Sequence, residues 1–507
     1  MDTPAVFPVS RRHAGDFTAA FDAGVFRESS ETALALLEGN LTDRSVRGLD
    51  LTDPEVLSRA ARALMTSESR QVPAYDARRL KAILDLYVRT GIPVYSPGSM
   101  GRQFSGVVPL AAVVDFVSSA VSQPSSFYEA GQLPNVAERI MAEELNRFIG
   151  WEPGTFAMVT TSGGSLANLT ALLAARNRHF PTYWAEGGAA QGGAGRPAIA
   201  VGADVHYSVE RAAGVMGIGA GQIVRLPLDD RQRICVEGAR AALEGAGERG
   251  LKVFCLVASA GTTAVGAFDP LAELAALARE RDMWLHVDGA HGASLLVSER
   301  LRDRLRGIEE ADSLTWDAHK MMYVPAPCTL LFYRDGPQSL GAFRQRASYV
   351  FDEHPDAHGE LDSGDKNFEC TKRPMIMTLW TLWALFGPAL FARKTEHLCR
   401  LAGEAHRIVE GEPDFRTLHL PESNILCFRH HPDGLEEKNV HGFQVAIRDR
   451  VRQRGKFFIS KVDIGGVAAL RIVVMNHDIT PVHFRMLLDE IRRTGRELLR
   501  RRTGDAP

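Results

Sequence analysis

The spacing of apolar positions changes character along the chain. Over the first ninety or so residues apolar side chains recur at helical intervals. Asp53-Pro54 supplies a cap and a first helical position for a helix running to Met65, and Arg78 to Arg89 reads as another, stopped at Gly91-Ile92-Pro93. From about Phe104 to Leu385 short β-rich runs alternate with amphipathic stretches, which is the pattern of α/β layers. Strands are predicted at Ala198 to Val205, Val253 to Ser259, Trp284 to Asp288, Ser313 to Asp317 and Thr329 to Arg334. Leu271 to Asp282 has Leu and Ala at helical spacing after Asp269-Pro270, completing a βαβ unit. The Gly/Ala-rich stretch Glu186 to Pro197 has little to bury and reads as a surface loop. Beyond residue 386 the pattern predicts helices, strands at Asn424 to Arg429 and Ala469 to Asn476, the helix Val440 to Arg454, and a basic closing helix. Three segments follow: an N-terminal helical part (1–95), a large α/β domain (96–385) and a small C-terminal α+β domain (386–507).

Composition narrows the function classes. The chain has 507 residues, 45% hydrophobic and 24% charged, enough for several buried cores. A net charge of −3 offers no basic field for nucleic acid and no polybasic arm for anionic membrane. The start, through Arg11, Arg12 and Phe17, lacks the layout of a secretory signal, and no apolar run of the length a membrane span needs is expected, so a cytoplasmic protein is expected. Six cysteines without a CxxC pair read as reduced thiols with no metal or disulfide role.

Candidate chemistry sits at predicted strand ends. In His286 to Gly292, HVDGAHG, an apolar strand ends in Asp288, at the edge where open α/β sheets bind ligands; alone, such an acid is as often a cap. Thirty-two residues on (320 − 288), SLTWDAHK delivers Lys320 to the same edge. A partly desolvated lysine there can attack a carbonyl, although a solvated lysine fits the segment equally well. TSGGSLANLTALL, from Thr161, has glycines opening a helix, where backbone amides with the hydroxyls of Ser162 and Ser165 suit a phosphate; it matches neither a Walker A loop nor a dinucleotide GxGxxG. DVHYSVERAA puts His206 between a strand and a helix, where a structural histidine is the commoner finding and a ring lying on an aromatic cofactor the alternative. A phosphate cradle, a carboxylate for a ring nitrogen and a lysine for an aldehyde are what a protein must supply to use pyridoxal phosphate.

With HVDGAHG and SLTWDAHKMM on the page, the chain resembles the group II pyridoxal-phosphate-dependent amino acid decarboxylases, which include glutamate, cysteine sulfinate and aromatic amino acid decarboxylases. The resemblance, over roughly residues 90 to 480, implies the type I fold of such enzymes, aspartate aminotransferase-like, with a mixed, mostly parallel sheet flanked by helices. It implies that Lys320 carries the cofactor, Asp288 pairs with its ring nitrogen, and His206 and Ala290 cover its two faces. Gly164 and Ser165 then bind the phosphate, with Thr262, Thr263, His319 and Asp317 as supporting contacts. GAFRQRASYVF resembles the mobile catalytic loop, which makes Tyr349 the expected proton donor, and AALRIVVMN makes Arg471 the candidate for the substrate α-carboxylate. Arg373 is expected to be structural.

The chain also departs from its relatives. Asp317 stands where many carry Asn, Gly289 where Ala is common, and SPGSMGRQFSGVVP has Ser96 and Arg102 where glutamate and cysteine sulfinate decarboxylases usually have His and Gln. With Phe104, Arg102 is the expected substrate-side contact. Its guanidinium favours an acidic side chain, as in glutamate, aspartate or a sulfinate, or else forms an intersubunit salt bridge. Aromatic or aliphatic substrates, transamination, carbon–carbon lysis, oxidative deamination and a catalytically silent binding subunit are the rivals. The resemblance further implies a homodimer with the site at the subunit interface, the segment Asp335 to Asp365 reaching across.

Overall fold

The computed structural model describes residues 18–65, 75–188, 195–343 and 361–503. It divides into two compact units, Met1–Ser99 with Asp449–Phe458, and Met100–Arg448 with Ile459–Pro507. The expected division at 385/386 lies just before Gly387, where the helix Ile376–Glu410 leaves helical geometry.

The smaller unit is built on helices Ala23–Thr42, Pro54–Ala63 and Ala77–Arg89. Asp22, Asp53 and Asp76 cap them, each side chain accepting from two backbone amides of the first turn that have no intrahelical acceptor. None of the three helices contains a fully buried residue.

The larger unit is organised by a seven-stranded sheet: β1 (Ala157–Thr161), β2 (Arg196–Gly202), β3 (Ile223–Leu226), β4 (Leu251–Ser259), β5 (Trp284–Asp288), β6 (Ser313–Asp317) and β7 (Thr329–Tyr333), in the order β1-β7-β6-β5-β4-β2-β3. Pairing is parallel from β6 through β5, β4 and β2 to β3, while β7 runs antiparallel to both β6 and β1. The carboxyl ends of β1, β2, β4, β5 and β6 therefore lie along one edge. Every residue of β5, β6 and β7 is buried, as expected for strands covered on both faces. β1 and β3, read from sequence as neither strand nor helix, are short segments (AMVTT and IVRL) whose strand character comes from their neighbours.

A second, antiparallel sheet orders β10 (Ser460–Ile464), β11 (Val467–Val473), β9 (Ile425–His430) and β8 (Phe415–Thr417). Gly465 and Gly466, at φ 62° and 78°, make the two-residue turn between β10 and β11, a conformation that disfavours any side chain. One expectation needs correction. The uncharged stretch from Met375 to Ala392 lies in a helix long and apolar enough, by length and composition, to cross a membrane. Gly387 leaves helical geometry (φ 63°, ψ −174°) before Pro388, breaking the stretch; Ile376, Leu379, Leu382 and Phe391 are buried in protein, while Leu385 and Phe386 are exposed.

Candidate active site

The aligned strand ends enclose a cavity of about 190 Å³ lined by Gly164, Ser165, Asn168, His206, Thr262, Thr263, Asp288, Ala290, His291, Asp317, His319 and Lys320, among others. Lys320 and Asp288, read from sequence as partners, thus open into one space.

At one end, β1 passes through Gly163, at φ 116°, into the helix Gly164–His179. The first-turn amides of Gly164 and Ser165 have no intrahelical acceptor and favour an anion. A Cβ on Gly164 would come within 3.1 and 3.2 Å of the Asp317 carboxylate oxygens and 3.5 Å of Ala290, so glycine keeps this cradle open. Ser162 does not take the role expected of it. Its backbone N–H donates to Glu369 at 3.2 Å and its hydroxyl bonds the same carboxylate, leaving Ser165 as the cradle's hydroxyl.

At the other end, Asp288 closes β5 and is 8% exposed. One carboxylate oxygen accepts from Asn168 Nδ2 at 2.8 Å and the other from the Ala290 N–H at 3.2 Å. His206 caps the helix Tyr207–Val215, its Nδ1 accepting the Ser208 N–H at 3.3 Å. Burial pushes its pKa down, with the charge of Asp288 opposing, which favours the neutral ring.

Between the ends, Lys320 Nζ lies 2.9 Å from Asp317. Burial alone would raise the Asp317 carboxyl, but the charges of Lys320 and His319 outweigh it and hold the pKa below its usual value. Thr329 and Lys320 both bond this carboxylate, so the departure from Asn at 317 places an anion beside the reactive amine. His319 sits with Nδ1 2.9 Å from the Cys328 carbonyl.

His291 was not singled out from sequence. Its Nε2 lies 2.6 Å from Asn424 Oδ1, and because Asn424 Nδ2 donates to the Val474 carbonyl at 2.9 Å, the proton resides on His291 Nε2. Nδ1 is a bare acceptor, buried without a partner in the cavity wall. Burial, then the charge of Lys320, push its pKa down to about 3.

The substrate-side residues are less assembled. Arg471 is not among the lining residues; it donates to the carbonyls of Thr263 at 2.7 Å and Ala264 at 2.9 Å and to Ser460 Oγ at 3.2 Å. Its observed work is to brace the turn that carries Thr262 and Thr263, because buried guanidinium donors need acceptors. Arg102 and Phe104 are exposed and do not line the cavity either. Arg373 pairs at the surface with Asp115 at 3.1 Å, the structural place expected of it. Tyr349 lies outside the described residues, as do positions 344–360 of the segment Asp335 to Asp365.

These residues fit pyridoxal phosphate. The glycine cradle suits its phosphate, Asp288 its ring nitrogen, Lys320 its aldehyde, and the orphaned His291 Nδ1 marks a wall built to receive a donor. Known proteins agree. A bovine (Bos taurus) protein named acidic amino acid decarboxylase GADL1 is 27% identical over 467 residues, covering 90% of this chain and 88% of that protein. The crystal structure of mouse CSAD superposes with a TM-score of 0.85 at 23% identity, covering 94% of this chain and 99% of that one. That of Oryza sativa TDC with PLP and tryptamine also reaches 0.85, at 22% identity and the same coverages. The model of the pyridoxal-dependent decarboxylase conserved domain matches residues 113–431, and the chain accordingly belongs to that family as a pyridoxal-phosphate-dependent amino acid decarboxylase.

Proposed function

We propose that the protein removes the α-carboxylate of an L-amino acid with an acidic side chain, of the glutamate, aspartate or cysteine sulfinate class, releasing carbon dioxide and the amine. The observation that carries the reading is the convergence of Lys320, Asp288 and the Gly164–Ser165 cradle on one cavity. The acidic substrate is supported by relatives named for that activity.

Bound pyridoxal phosphate supplies the electron sink for the breaking bond. The protein's part falls to named side chains. Gly164 and Ser165 anchor the phosphate through first-turn amides. Asp288 holds a proton at the ring nitrogen by charge pairing, and Asn168 keeps that carboxylate aimed. His206 and Ala290 would pack against the cofactor ring, and Thr262, Thr263 and His319 would give supporting contacts. Lys320, which opens into the same cavity, would hold the cofactor through its aldehyde. Tyr349 delivers a proton to the substrate α-carbon. Arg471 serves the substrate α-carboxylate through the Thr263–Ala264 turn it braces.

The reading extends to a cytoplasmic homodimer. All six cysteines are unpaired thiols. Val113, Phe116, Val117 and Val121 line an exposed face of the helix Pro109–Val121, and Phe26, Leu34 and Leu37 one of Ala23–Thr42, apolar surface of the kind a second copy covers. Sedimentation at micromolar protein tests the dimer, and a monomer at those concentrations refutes it.

The activity test is incubation with pyridoxal phosphate and a panel of amino acids, measuring carbon dioxide and product mass. Release of carbon dioxide with the matching amine from an acidic amino acid is the expected outcome. Selective turnover of an aromatic one overturns the substrate class. Lys320→Ala should lose the visible absorbance of the bound cofactor together with turnover; retention of both removes Lys320 from the scheme.

A further inference from the structure

We propose that Asn168 is the positioning residue of this site: its amide holds Asp288 and, through Ser208, His206 in register with the cofactor ring, and donors from His286 and Thr315 hold the other end of the amide. The inference deepens the reading above and rests on Asp288 meeting the ring nitrogen.

The Asp288 end sets the direction of this line of hydrogen bonds. A carboxylate only accepts, so the Asn168 atom 2.8 Å from Asp288 is Nδ2, and Oδ1 faces the other way. Oδ1 only accepts, so the His286 Nε2 facing it carries the proton, and Nδ1 of the neutral ring accepts from Ser313 Oγ at 2.8 Å, which itself accepts from Trp284 Nε1, also at 2.8 Å. His286 Nε2 donates to Asn168 Oδ1 at 3.1 Å, beside the Thr315 hydroxyl at 2.8 Å. Burial pushes the His286 pKa down to about 4 against the pull of Asp288, so the ring stays neutral and the line keeps its direction at neutral pH.

A second arm leaves from the same amide. Asn168 Nδ2 also donates to Ser208 Oγ at 3.0 Å. Ser208 has its backbone N–H on His206 Nδ1, which is therefore an acceptor, and its hydroxyl donates to the same atom at 2.8 Å. Both hydrogens and both lone-pair sites of Asn168 are thus used. Asn168, Ser208, His286, Ser313 and Thr315 are all at most 2% exposed, so no water substitutes for a lost partner without rearrangement.

An N–H donor aimed at a carboxylate favours its charged form, which in turn keeps the shared proton on the ring nitrogen. Withdrawing the donor moves that proton toward the carboxylate. This consequence separates positioning from mere packing.

The test reloads the full chain and its variants with pyridoxal phosphate carrying ¹⁵N at the ring. It reads the cofactor dissociation constant, the ¹⁵N chemical shift and the melting temperature. Asn168→Leu should bind the cofactor roughly ten- to a hundredfold more weakly and move the ¹⁵N signal toward that of neutral pyridine. Thr315→Val, which removes a hydroxyl holding Asn168 Oδ1, should move both readouts the same way, with roughly two- to fivefold weaker binding. It carries the test alone if Asn168→Leu does not fold. Lower melting with an unmoved ¹⁵N signal, or affinities within twofold of the parent, overturns the proposal. Asp288→Asn distinguishes the failures: if it too leaves the signal unmoved, the assignment of Asp288 to the ring nitrogen falls, whereas a signal moved by Asp288→Asn but not by Asn168→Leu removes only the role of Asn168.

Discussion

Replacing Lys372 by Met should be among the most damaging substitutions outside the cavity. The Lys372 side chain is fully buried, and its ammonium lies 2.8 Å from Glu138 Oε1, 2.9 Å from Thr160 Oγ1 and 3.2 Å from the Thr160 carbonyl. The gross attraction of unit charges at that separation is ~6 kcal/mol for an effective dielectric near 20, much of it offset by the cost of taking both ions out of water. Lys372→Met leaves Glu138 buried with the Thr160 hydroxyl but no cation, and the expected loss is about 3–5 kcal/mol. Lys372→Met/Glu138→Leu removes both charges and should recover more than half of it, because an apolar pair of similar size carries no stranded ion. Because Thr160 belongs to β1, just before the phosphate cradle, the single variant should also weaken cofactor binding. Urea unfolding followed by tryptophan fluorescence, on parent, both single variants and the double, measures the stability terms. A loss below ~1 kcal/mol for Lys372→Met, or a double variant as unstable as the two singles summed, refutes the argument.

Further outcomes are expected elsewhere. A Cβ at Gly289 would lie 2.8 Å from Leu314 Cδ1, 2.9 Å from Ala293 Cβ and 3.1 Å from the Thr315 carbonyl. Gly289→Ala should therefore cost about 1–3 kcal/mol in thermal or urea unfolding; unchanged stability would show that the neighbours yield freely. His291, lowered from 6.5 to about 3 by burial, stays neutral in the fold while the unfolded chain takes up its proton, so its contribution is fully present above about pH 6.5 and is lost as pH falls toward 3. The stability advantage of the parent over His291→Gln should shrink by about 1.4 kcal/mol per pH unit across that window, and a pH-independent difference contradicts the assignment. Tyr349→Phe should suppress amine formation from the preferred amino acid, as read by product mass, and full amine output would dismiss it as proton donor.

How much of this was legible in the sequence differs by element. Trp284–Asp288 and Ser313–Asp317 were read to the residue, because each is a short β-prone run that stops at an acid, as a strand buried on both faces does here. The glycines before the helix Gly164–His179 and the Asp53 cap of Pro54–Ala63 were equally readable, since capping and close backbone approach depend on adjacent residues, whereas the caps Asp22 and Asp76 were not singled out. β1 and β3 were not, being too short to show a period.

On its own, the sequence determined which residue types end which strands, and with them the family and the cofactor. Local chemistry suffices there, because each motif is contiguous and its backbone conformation is set within a few residues. Tertiary structure alone decided what surrounds those motifs. Asn168 reaches Asp288 across 120 positions and Arg471 reaches the Thr263 carbonyl across 208. A hydrogen-bond partner that far away leaves no periodic trace, and a buried polar group's role follows from whichever donor or acceptor the folded chain brings to it.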